Sequence, residues 1–118
     1  MSVWDKEYPS SSEYAHYYGN YVSHVPKENI IETLKAQMHE IYTFINSIPG
    51  DKAFHSYEDG KWTVKQTIGH IIETERVFAY RALAFSRRDP SPLPSMEQDD
   101  YVKYSNYNSR TIHNLANE

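Results

Sequence analysis

The stretch from Trp62 to Pro90 constrains this chain more than any other, because both of its ends and the period between them specify one long helix. Thr63 stands three residues before Gln66, so its hydroxyl can accept from the Gln66 amide while the Gln66 side chain returns to the Thr63 amide. Ile68, Ile71, Ile72, Phe78, Ala79, Ala82 and Leu83 then recur at helical spacing. Arg87-Arg88 put positive charge at the carbonyl end, and Asp89-Pro90 stops the run. A helix of this length must cover its apolar face. Nothing elsewhere alternates at period two strongly enough to supply a sheet, so the cover has to be helical.

A second amphipathic run supplies the partner. Pro26 suits a first helical turn and Glu28 sits well near the positive helix end, which predicts a helix from Pro26 to Ile48. Its apolar residues are Ile30, Ile31, Leu34, Met38, Ile41, Tyr42, Ile45 and Ile48, over an arc of roughly 120°. Pro49-Gly50 ends it, and Asp59-Gly60 marks a turn before the long helix. Pro90, Pro92 and Pro94 stiffen the following link. Tyr101, Val102 and Tyr104 then suit a short turn. Asn108 can cap a third helix beginning near Ser109, with Ile112, Leu115 and Ala116 opening its apolar stripe. The pattern reads as an all-α antiparallel bundle cut within its third helix, residues 26–118, preceded by an arm, residues 1–25, rich in tyrosine and histidine.

Composition narrows the function classes. At 118 residues the chain suits a single domain. Lys and Arg number 12 against 16 Asp and Glu, a net charge of −4, and no basic run exceeds Arg87-Arg88, so nucleic acid is excluded as a partner. Apolar stretches fall far short of the ~20 residues that cross a bilayer, and no secretory leader follows Met1. The absence of cysteine removes disulfides, thiolate nucleophiles and cysteine-ligated zinc, and a cytoplasmic location is expected.

None of the six histidines, His16, His24, His39, His55, His70 and His113, lies three or four residues from another, so no local metal motif exists. Counted from Val64 at 100° per residue, His70 falls at about 240°, on the border of the long helix's apolar arc. It reads either as a metal ligand or as a half-exposed histidine bonded to a neighbour. Glu75 falls at about 20°, within the arc, where a carboxylate needs a partner; it reads as a packing contact or a catalytic base. Trp62 reads as an anchor over the helix start or a cleft wall, and the 11 tyrosines as packing surface or a site for an aromatic ligand.

Gly60-Lys61-Trp62-Thr63-Val64-Lys65-Gln66, followed by Gly69-His70-Ile71-Ile72-Glu73-Thr74-Glu75-Arg76-Val77-Phe78-Ala79-Tyr80-Arg81, resembles the DinB-like superfamily. The likeness extends from about Tyr21 onward. It implies a four-helix bundle, often a homodimer, holding zinc or nickel between helices by three histidines. Some relatives transfer groups to or from a low-molecular-weight thiol; others are hydrolases or isomerases. His70 corresponds to the first metal ligand. The other two usually form a His-x-x-x-His pair on the fourth helix, which this chain does not contain, and His113 matches neither. Metal binding by these residues alone is therefore expected to be weak or absent. Two functions compete: a metal-dependent transferase or hydrolase, and a non-catalytic dimerising or ligand-binding bundle with a cleft lined by Trp62, His70 and tyrosines.

Overall fold

A computed structural model describes residues 8–118. Among them there is no strand, so the all-α expectation holds. The helices are α1 (Gly19–Ser23), α2 (Ile30–Asn46), α3 (Val64–Ser86), α4 (Gln98–Lys103) and α5 (Ile112–Ala116), with single 3-10 turns at His16–Tyr18, Gly50–Lys52 and Tyr107–Ser109. No helix among the described residues is long and apolar enough to cross a membrane. The chain divides into two compact units, one running up to Ile41 and the other from Tyr42 to Glu118.

In the first unit, Tyr17, Tyr18 and Tyr21 pack ring against ring, with centroids 5.2 to 6.4 Å apart, and all three remain exposed. The Tyr8 hydroxyl donates to the Val22 carbonyl. An open hollow is lined by Ser11, Tyr14, His16, Tyr17, Gly19 and Asn20. α2 starts later than Pro26. Asn29 caps it, its Oδ1 accepting from the Ile31 and Glu32 amides at 3.0 and 3.2 Å. A side-chain acceptor that satisfies two free amides outweighs a proline that merely tolerates the position.

The second unit is organised by α3. Its capping box is present, with Gln66 N to Thr63 Oγ1 at 3.1 Å and Thr63 N to Gln66 Oε1 at 2.9 Å. At its far end Asp89 N donates to the Ala84 carbonyl and Arg88 N to the Phe85 carbonyl, a Schellman closure that places Arg88 in the left-handed region at φ 53°. Arg87 and Arg88 therefore lie beyond the last helical residue, Ser86. At the start, Gly60 takes φ 79° in the turn that delivers Trp62.

The core is built from Ile45 at the end of α2, Ile68 on α3, Tyr107 in the 3-10 turn and Leu115 on α5, with Ile48, Val64, Ile72, Ile112 and Ala116 packed around them. Gly69 makes this possible. A Cβ there would lie 2.2 Å from the Tyr107 ring, so the ring sits directly on the α3 backbone. The expected third helix corresponds to α5, but it begins at Ile112 with Thr111 as its cap, and Asn108 belongs to the preceding 3-10 turn. Asn108 serves as a clasp instead: the Thr63 hydroxyl donates to its Oδ1 at 2.6 Å, and buried Lys65 reaches its carbonyl at 3.4 Å.

Glu75 departs from expectation. α3 buries the face carrying Lys65, Ile68 and Gly69, and Glu75 lies off that face, exposed to solvent that satisfies its carboxylate. Ile71 and Phe78, 49% and 59% exposed, share its uncovered strip. Three substitutions test this packing in urea denaturation. Gly69→Ala forces the Tyr107 ring away and costs about 1–3 kcal/mol. Leu115→Ala, at a side chain 1% exposed, costs about 2–5 kcal/mol. Arg88→Gly relieves the left-handed position and stabilises by about 1 kcal/mol.

Candidate functional site

His70 differs from the other five histidines: it is half-buried, whereas they are exposed. It lies on the second turn of α3, where the capping box has already fixed the backbone. Trp62 packs against its ring, with centroids 5.0 Å apart and planes at 48°. Its two ring nitrogens face different surroundings. Nδ1 is buried with no hydrogen-bond partner. Nε2 makes no bond either and is not among the buried orphaned atoms of the described residues. Thr74, one turn on, donates its hydroxyl to the His70 carbonyl at 2.8 Å.

Glu73 and Thr74, three and four residues from His70, both lie within reach of its second ring nitrogen by sequence alone, and in the structure Glu73 is the one with a buried oxygen left free. Tyr107 donates to its Oε1 at 2.8 Å, while Oε2 is buried without a partner. His70 Nδ1 and Glu73 Oε2 are the two orphaned buried side-chain atoms among the described residues. They belong to residues three apart on one helix, whose Cβ atoms are then about 5–6 Å apart. The sequence signal for this arrangement is Gly69, a bare position inside an otherwise strong helix, beside which a large side chain can pack.

Charge collects next to this pair. Arg76 and Arg110 both bind the Glu118 carboxylate, and Arg110 also donates to Asn114 Oδ1 at 2.6 Å. The Arg110 guanidinium stands 5.9 Å from the Tyr107 ring centre. His113 is engaged elsewhere, its Nδ1 2.9 Å from Asn46 Oδ1. No group of three or more His, Cys, Asp or Glu side chains gathers among the described residues.

The family model for the DinB superfamily matches residues 33–116, and the chain belongs to that superfamily. It is also similar to a protein of Oceanobacillus iheyensis named as a proposed metal-dependent hydrolase. That relative is 24% identical over 86 residues, covering 66% of this chain and 49% of its own length. The chain therefore spans about half the length of the curated relative it matches. No solved structure matches it.

Burial, and then the bond to Glu73, push the Tyr107 hydroxyl from its ordinary value of 10.0 up to about 12. The folded state thus holds this proton more tightly than the unfolded chain does. Its contribution to stability is complete below pH 10 and falls away as pH rises from 10 to about 12. Denaturation midpoints measured across that range should fall in the native chain, and Tyr107→Phe should remove this part of the fall.

Proposed function

We propose that this chain carries part of the metal site of a DinB-like four-helix bundle, a metal-dependent hydrolase or transferase acting on a small molecule, with His70 as one metal ligand. The orientation of His70 carries this reading. An imidazole with its ring against Trp62, Nδ1 buried and Nε2 left without a bond is arranged as a ligand is. The printed name of the Oceanobacillus relative supports metal dependence. A divalent ion such as zinc or nickel fits an imidazole donor, and when bound it makes a thiol or water more acidic near neutral pH. His70 would hold the ion through Nε2, and Trp62 would keep water from one face of the ring. The lack of cysteine in these residues agrees with a sulfur nucleophile carried by the substrate, a low-molecular-weight thiol. The same reading includes a cytoplasmic homodimer.

On this reading His70 is one ligand and the remaining ligands come from a further helix of the bundle. That helix would also cover the apolar strip of α3 at Ile71 and Phe78. The absence of a three-ligand group among the described residues favours a second reading, a non-catalytic dimerising or ligand-binding bundle lined by Trp62, His70 and tyrosines.

Elemental analysis separates the two. The 118 residues alone should retain no stoichiometric metal, whereas a longer form bearing a His-x-x-x-His helix should carry one ion per chain and lose it in His70→Ala. Full retention in that variant removes His70 from the site. A longer form free of metal favours the binding module.

A further inference from the structure

The two orphaned buried atoms of the second unit make a complementary pair. His70 Nδ1 can carry a proton, and Glu73 Oε2 can accept one. Each residue is otherwise fixed: Tyr107 donates to the other oxygen of Glu73, and Thr74 donates to the His70 carbonyl, so that hydroxyl proton is already committed. Buried polar groups are rarely left without partners, and these two stand one helical turn apart on the same side of α3. They are not bonded to each other in the structure, and a side-chain rotation or a bridging water would be needed to join them.

We propose that Glu73 is the positioning residue for His70: its Oε2 accepts the Nδ1 proton, directly or through one water, and so fixes the tautomer that leaves the Nε2 lone pair free. Tyr107 in turn holds Glu73 through Oε1, so the chain of contacts runs from the core to the imidazole. The proposed tautomer rests on the pairing of the two orphaned atoms and not on a bound metal. Its functional value rests on the reading of His70 as a metal ligand, since a free lone pair is what such a ligand requires.

The test reads the ring nitrogens of His70 directly, in the ¹⁵N-labelled 118-residue chain. Long-range proton–nitrogen spectra, assigned by the signals lost in His70→Gln, should show Nδ1 protonated and Nε2 bare in the native chain. Glu73→Gln keeps an acceptor oxygen and should preserve that tautomer. Glu73→Ala and Glu73→Met should move the population toward protonated Nε2. A native spectrum with Nε2 protonated overturns the proposal, whether or not any variant folds. So does a tautomer unmoved in a folded Glu73→Met chain, which would leave Glu73 as a hydrogen-bond partner of Tyr107 only. Adding zinc chloride to a labelled longer form bearing the His-x-x-x-His helix examines the ligand reading separately. Perturbation of the His70 Nε2 signal supports that reading, and an unchanged Nε2 signal with Nδ1 still protonated overturns it while upholding the role of Glu73.

Discussion

The absence of a side chain at Gly69 underlies the arrangement of the second unit. With no Cβ to meet, the Tyr107 ring lies against the α3 backbone, only 5% exposed, and there joins the core of Ile45, Ile68 and Leu115. That placement carries the tyrosine hydroxyl to Glu73. Glycine inside a helix costs about 1 kcal/mol relative to alanine, which is modest against the burial of a whole aromatic ring. One missing methyl group therefore links the packing of the C-terminal segment to the polar surroundings of His70.

The parts of this fold that follow local rules are readable from the sequence. α3 runs almost as its capping box and Asp89-Pro90 stop require, since both signals lie within a few residues of the ends they control. The starts of α2 and α5 shifted by a few residues because each had two competing capping candidates. Asn29 prevailed over Pro26 by accepting two amides, and Thr111 over Asn108 because the 3-10 turn needed for Tyr107 occupies Asn108. The prominence of His70 was legible at its border position on the helix. Glu73 was legible as one of two acceptors within reach of its ring, but the contact that holds Glu73 was not: Tyr107 and Glu73 are 34 residues apart, and no local pattern relates them.

Helical periodicity also overstated what is buried. The arc that included Ile71, Glu75 and Phe78 is apolar in sequence, but α3 turns the neighbouring face, with Lys65 and Gly69, toward its partners. Hydrophobic pattern marks surface that some partner suits, whereas the contacts on α3 are set by shape at Gly69 and by hydrogen bonds at Thr63. A carboxylate in an apolar arc is therefore a weak pointer to chemistry. An unsatisfied one beside a buried tyrosine is a stronger pointer.

The Thr63 hydroxyl joins two scales of structure in one group. It accepts from the Gln66 amide within its own helix and donates to Asn108, 45 residues away. Unwinding the first turn of α3 swings this hydroxyl out of position and releases the C-terminal clasp in the same motion. Fraying at that end is thus a nonlocal event, and the base on which Trp62 and His70 stand is held by residues that arrive late in the chain.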